Sequence, residues 1–406
     1  MKAVGVIVEY NPFHNGHAFH LQASKEAANA DVVIAVMSGN FLQRGEPALV
    51  SKWVRTQMAL VNGVDIVFEL PYRFAVQKAE IFATGAVSIL DAAGCDSLCF
   101  GSESGDLGAF KQTLEFLTSR SAEYDEQIKT FIQTGVSYPK ALSLAFQQLS
   151  GSEHVLDLSK PNNILGFQYI KAIKQLRSSI EPLTVSRKSA NYHDEHFASD
   201  TIASATSIRK AIFSNDHEKM GIGQYVPDRT KDLLEEYLER YGTFHHWELY
   251  WQLLQFRLLQ TNPNELRDIY EMEEGLENRL IQAALEAQNF QEFMQKIKTK
   301  RYTWTRLQRL CVHILTNTKK SEMNHLENAS YLRLLGMSDL GKEYLNKTKK
   351  HFNLPLVSRI PSYKENDIQL DVRAARIYGM CLNEPHKKMM IQQEYKQPPI
   401  VIEKSS

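Results

Sequence analysis

Five short apolar runs, the first four released by a turn signal and followed by a helical period, frame the first half of this chain. The first is Val4-Gly5-Val6-Ile7-Val8, rich in β-branched side chains and read as a buried strand that Asn11-Pro12 breaks. From His17 to Ala28 the apolar positions return at helical spacing among strong helix formers. The pattern then repeats: Asp31–Met37, Asp65–Leu70, Ser97–Phe100 and Glu181–Val185 read as strands, and the stretches near 50–62, 79–93 and 164–173 as helices. Strand–helix alternation at this spacing predicts an α/β fold, a parallel sheet with helices on both faces.

Between these runs, 106–150 is helical and polar, an insertion expected to cover the site. Gly221, Gly223 and Pro227 mark a boundary, so we expect one domain over 1–217 and a second, mostly α-helical, over 218–406. Helices are predicted at 230–241, 247–259, 264–289 and 371–381. Leu335-Gly336-Met337-Ser338 reads as a helix-to-helix turn, Leu354–Ser358 as a short strand or extended segment, and the tail from Glu384 as loose. Lys52 and Arg55, three apart on one helix face, read as solvated charges before phosphate ligands.

Composition narrows the function classes. Lysines plus arginines and aspartates plus glutamates number 47 each, so bulk charge attracts no polyanion and a nucleic-acid site must be a local patch. The first apolar run ends at Glu9, too short for a signal-peptide core, and no stretch approaches a membrane span. Cys95, Cys99, Cys311 and Cys381 lack zinc-ligand spacing, which points to reduced thiols and a cytoplasmic enzyme.

The candidate chemistry sits where the first strand gives way to the first helix. A helix start offers backbone N–H groups and a positive dipole end to phosphate. His14 and His17 flank Gly16 there, so two imidazoles can donate to one polyphosphate while the glycine lets a nucleotide lie on the backbone. A capped helix with two surface histidines is the bland alternative. The loop Phe41–Pro47, with Gln43, Arg44 and Glu46, follows the carboxyl end of a strand, where open α/β sheets bind ligands.

Asn11-Pro12-Phe13-His14-Asn15-Gly16-His17 resembles the first signature of the nucleotidyltransferase superfamily, whose HxGH is similar to that of class I aminoacyl-tRNA synthetases. Val8–His20, Met37–Ala48 and Pro161–Gly166 together resemble one bacterial family, the tRNA(Met) cytidine acetate ligases, over nearly the whole chain. The resemblance implies a Rossmann-like nucleotidyltransferase sheet of the HUP type. It implies ATP binding along Ile7, Val8, Glu9, Tyr10, Asn11, Pro12, Phe13, His14, Asn15, Gly16, His17, Ala18, Phe19 and His20, and at Gly101, Asn162, Arg187 and Lys188. Ile202–Lys210 resembles the second superfamily signature, usually ISSTxIR, which adds Ser204, Thr206 and Arg209; Ala205 stands where a second serine is usual. Taken without the resemblance, Gly101 reads equally as a turn glycine, Asn162 as a helix cap and Arg187-Lys188 as a solvated pair.

The activity so implied is ATP-dependent activation of acetate as acetyl-adenylate, then acetylation of N4 of the wobble cytidine in elongator tRNA(Met). His14 and His17 would be the catalytic pair. Mg²⁺ is expected with ATP, but no dedicated carboxylate cluster is visible. Residues 293–320 carry eight basic side chains and no acidic one, interleaved with Tyr302 and Trp304. Lys298, Lys300, Arg301, Arg306 and Arg309 are the expected tRNA contacts; a solvated basic face is the alternative. A small-molecule nucleotidyltransferase and a non-catalytic tRNA-binding protein are the rival readings, and oligomeric state is not legible.

Overall fold

The computed structural model describes residues 1–149, 151, 155–186, 203–214, 221–273, 275–323 and 327–403. Its spine is one sheet of eight strands: β1 (Ala3–Val8), β2 (Val32–Ser38), β3 (Ile66–Leu70), β4 (Ser97–Ser102), β5 (Glu181–Ser186), β6 (Leu332–Ser338), β7 (Leu356–Val357) and β8 (Ile400–Ile402). They lie in the order β5-β4-β1-β2-β3-β6-β7, with β8 also on β6. The pairs β1/β2, β2/β3, β1/β4 and β4/β5 are parallel, as the alternation predicts.

All seven residues of β2 are buried, which suits a central parallel strand covered on both faces. Alternate residues enter different cores. Val33, Ala35 and Met37 pack into one, while Val32, Ile34 and Val36 pack into the other with the helices Ala79–Ala92 and Pro161–Leu176. The first of these cores runs without interruption into the helical half, taking in Trp247, Trp251, Phe293 and Leu310. The chain builds outward from β1 through β2 to β3, then returns to lay β4 on the other side of β1. The reversal opens a crevice at the carboxyl ends of β1 and β4, the usual ligand site of such sheets.

Several expectations are corrected. Leu335–Ser338 is not a helix-to-helix turn but the end of β6, which pairs antiparallel with β3, Met337 opposite Ile66 and Arg333 opposite Glu69. Gly336 misled the reading. A Cβ there would stand 2.8 Å from both Leu60 and Thr56, so it is a strand glycine that admits the helix Lys52–Val61. The tail is not loose: it forms the helix His386–Lys396 and then β8. The expected helix at 264–289 is two, Pro263–Arg267 and Leu276–Glu286. Strands β6 to β8 therefore carry the sheet past residue 217 into the second half of the chain.

Lys52 and Arg55 are not solvated either, at 1% and 0% exposure. Lys52 Nζ lies 2.7 Å from Glu69 Oε2 and 2.8 Å from Glu394 Oε2, which ties the helix His386–Lys396 to β3. Arg55 donates Nη1 to the Glu9 carbonyl at 2.7 Å and the Ser38 carbonyl at 3.0 Å, and Nη2 to the Gly39 carbonyl. One guanidinium thus holds the carboxyl ends of β1 and β2, from which the loops after both strands spring. The insertion is helical as expected (Leu107–Ser119, Ser121–Gln133, Tyr138–Gln148), but none of its described residues lines the crevice. Among the described residues it walls a neighbouring cavity of about 1270 Å³.

Candidate active site

Beyond Val8 the backbone turns sharply. Tyr10 is buried and left-handed at φ 48°, a costly conformation for a bulky residue that its surroundings must enforce. Arg209 Nη1 donates to the Asn11 carbonyl at 2.9 Å, and the Leu49 amide donates to Asn11 Oδ1 at 2.7 Å. The Asn11 Nδ2 donor, fixed in place by that contact, is buried without a partner among the described residues, a cost that a ligand oxygen would relieve.

The first helix starts at Asn15, and the two histidines build its cap. His14 Nδ1 accepts from the Gly16 amide at 3.1 Å, and His17 Nδ1 accepts from the His14 amide at 3.2 Å. The rings stack with centroids 3.7 Å apart and planes 26° from parallel. A neutral ring that accepts at Nδ1 carries its proton on Nε2, so each histidine becomes an Nε2 donor. The backbone N–H groups are less available than the sequence suggested. Asn15 N is bound by the Tyr225 carbonyl at 3.0 Å, and the next ones serve the cap. The cap thus occupies backbone amides and sets the imidazole Nε2 atoms as donors.

These rings look into a cleft of about 390 Å³ at the β1/β4 crevice. Of the expected site residues, Ile7, Val8, Glu9, Tyr10, Asn11, His14, Gly16, His17, Phe19, His20, Gly101, Asn162, Ser204, Thr206 and Arg209 line it. Pro12, Phe13, Asn15 and Ala18 do not: Phe13 is a core residue at 0% exposure, and Asn15 Nδ2 donates to the Gln224 carbonyl at 2.9 Å. Arg187 and Lys188 lie outside the described residues. Ser204 spends its hydroxyl capping the helix Ala205–Phe213, accepting from the Ser207 amide at 3.1 Å. Arg209 pairs with Glu46 at 2.9 Å, so it braces the loop after β2 as well as the Asn11 turn.

That loop is locked from the helical half. The Trp247 indole donates to the Gly45 carbonyl at 2.9 Å, and Gly45, at φ 75°, sits so close that a Cβ would fall 2.3 Å from the Arg309 amide. Gln43, Arg44 and Glu46 line the cleft beside Phe82, Phe100, Ile164, Leu165 and Tyr169. Sequence reasoning missed this apolar wall, because Ile164 and Leu165 carry the same spacing as any core-facing helix residue. Asn162 is held by Glu103, whose Oε1 accepts from its side-chain amide at 2.7 Å. Glu103 Oε2 accepts the Asn163 amide at 2.8 Å, so this carboxylate caps the helix Pro161–Leu176.

Among the described residues no group of three or more His, Cys, Asp or Glu side chains could hold a metal ion, and the four cysteines are unpaired. No helix among them is long and apolar enough to cross a membrane. The basic run finds its acids elsewhere in the chain. Lys296 pairs with Glu286 at 3.1 Å, Arg301 and Arg306 with Glu273, and Arg309 with Glu271 at 2.9 Å. Tyr302 is stacked by Arg306 at 4.6 Å and is 7% exposed, so it offers no open face to a base. Arg309 is only 9% exposed. Exposed Lys298 and Lys300 remain without an ion pair among the described residues, together with Lys319 and Lys320.

Comparison with known proteins agrees with this geometry. The family model described as HIGH Nucleotidyl Transferase matches residues 1–394. The tRNA(Met) cytidine acetate ligase of Geobacillus sp. (strain WCH70) is 49% identical over 402 residues, covering 99% of this chain and 100% of that protein. That of Bacillus subtilis (strain 168) is 47% identical over 405 residues, covering 98% and 97%. The crystal structure of Thermotoga maritima TmcAL, apo, superposes with a TM-score of 0.92 at 32% identity, covering 99% of this chain and 100% of that one. The same protein bound with alpha-thio ATP superposes with a TM-score of 0.90. The chain belongs to the HIGH nucleotidyltransferase family and, within it, to the tRNA(Met) cytidine acetate ligases.

Proposed function

We propose that this enzyme activates acetate with ATP as acetyl-adenylate, releasing pyrophosphate, and then acetylates N4 of the wobble cytidine of elongator tRNA(Met). The observation that carries the reading is the stacked His14–His17 pair, turned into two Nε2 donors beside a cleft at the sheet's reversal point. Acetate is a poor electrophile and the cytosine amine a poor nucleophile, so a mixed anhydride is needed first. Forming it asks for positioning and for charge stabilisation at the α-phosphate and departing pyrophosphate. Mg²⁺ would ride on the triphosphate, since it keeps several waters and needs few protein ligands. The reading places the enzyme with its tRNA in the cytoplasm, catalysis within 1–217 and tRNA contacts within 218–406. Incubation with ATP, labelled acetate and total tRNA should give labelled N4-acetylcytidine in elongator tRNA(Met), with AMP and pyrophosphate. Pyrophosphate exchange that requires a phosphorylated metabolite instead of acetate would overturn it.

Binding of tRNA should rest on the lysines left without acids. Changing Lys298, Lys300, Lys319 and Lys320 together to alanine is expected to make the slope of log affinity against log salt shallower by about 3. Acetate-dependent pyrophosphate exchange should stay near normal. An unchanged slope would move the tRNA contact to the exposed Lys342, Lys349 and Lys350.

A further inference from the structure

Glu9, which the resemblance counts among the ATP contacts, carries a charge that binding a triphosphate does not use. It follows β1 directly and lines the cleft with His14 and His17, where a negative side chain repels the triphosphate. Its carboxylate is fixed. The Gln43 amide donates to Oε1 at 2.8 Å, and Arg55 holds the residue's own carbonyl. Oε2 has no hydrogen-bond partner among the described residues, and Glu9 is half-buried along the cleft.

We propose that Glu9 is the general base of acetyl transfer: its Oε2 accepts a hydrogen bond from the cytosine N4 amine and takes that proton as the amine attacks. The inference rests on the ligase reading above. A carboxylate is the natural acceptor for the N4 amino group of cytosine, and it repels the O4 of a uridine in the same place. The N4 lone pair forms a C–N bond with the acetyl carbon of acetyl-adenylate. The bond from that carbon to the bridging phosphate oxygen breaks, AMP leaves with the electron pair, and one N4 proton ends on Glu9.

The surroundings make this carboxylate a stronger base than a solvated one. Burial, helped by Glu46, holds the Glu9 carboxyl above its ordinary range against the Gln43 amide, Arg44 and Arg209. Tyr169 faces it from the helix Pro161–Leu176, and His14 and His17 share the cleft. A raised carboxyl is a stronger proton acceptor, and general bases contribute about 10²–10⁴-fold.

The test separates the two half-reactions. Acetate-dependent pyrophosphate exchange reports activation; single-turnover transfer from preformed, enzyme-bound acetyl-adenylate to tRNA reports the second step. For Glu9→Gln, which keeps an acceptor for the Gln43 amide, transfer should fall at least about 10²-fold beyond any loss in exchange. Wild-type transfer should rise with pH to a plateau, and that limb should vanish in Glu9→Gln. Glu9→Asp, which keeps the base one methylene further back, should recover part of the rate and the limb. Equal loss in both half-reactions, or an intact limb in Glu9→Gln, would overturn the assignment. Exchange absent from the wild-type enzyme would overturn the ligase reading, and this inference with it.

Discussion

His17→Ala is expected to slow acetate-dependent pyrophosphate exchange by about 10²–10³, or roughly 3–4 kcal/mol, as loss of one preorganised donor does elsewhere. ATP affinity should fall far less, because the contact strengthens mainly as charge develops on the phosphates. His14→Ala should behave alike, since each ring accepts one backbone amide and turns its Nε2 into a donor. Either change also removes part of a helix cap, which costs about 1 kcal/mol of stability. A melting curve run beside the exchange assay therefore distinguishes a dead site from an unfolded one. Exchange within tenfold of wild type in His17→Ala would remove the pair from catalysis.

The second large effect is on stability. Lys52→Met leaves Glu69 and Glu394 facing each other, both buried and without their shared cation. Breaking a buried ion pair from one side costs about 3–5 kcal/mol, a large part of what holds a domain folded. Urea unfolding should show the loss as a lower midpoint. Adding Glu69→Gln to Lys52→Met should recover most of it, because Glu394 then keeps the buried Arg333, 3.9 Å away, and the remaining pair is balanced. The deficit should also depend on pH. Burial already raises the Glu394 carboxyl, and without Lys52 that rise is larger. A carboxyl raised in the folded state takes up its proton before the unfolded one does. The deficit is therefore greatest above the raised folded value and shrinks as pH falls towards the ordinary carboxylate range. A pH-independent deficit would mean that packing, not charge, is what Lys52 contributes.

What could be read beforehand follows from how local each signal is. The strands β1 to β4 announce themselves through apolar runs closed by Asn11-Pro12, Gly39, Pro71 and Gly101-Ser102, all within a few residues. β6 does not, because Gly336 resembles a turn until the helix packed on it is known. Lys52 and Arg55 look like a solvated face since their partners, Glu394 and the strand-end carbonyls, lie far away along the chain. The basic run misleads for the same reason: Glu271, Glu273 and Glu286 fall outside its window and return to it only in three dimensions. The site was legible where it is sequential, as in His14-Asn15-Gly16-His17. Gly101, Asn162 and Arg209 came from the family resemblance, and the apolar wall of Phe82, Phe100 and Tyr169 came from neither.

The antiparallel β6 has one more consequence, which concerns the making and cutting of the chain. Ile66–Leu70 is wholly buried, and β6 covers the side of it that would otherwise end the parallel sheet. Any piece of the protein that stops near residue 217 keeps β3 but loses its cover. A largely apolar strand with a row of open amides and carbonyls is a template for the next such strand. Proteolysis between the halves, or a growing polypeptide that has not yet reached residue 332, would therefore expose a self-associating surface. Until β6 arrives, the first half of the chain carries an open sheet edge along β3.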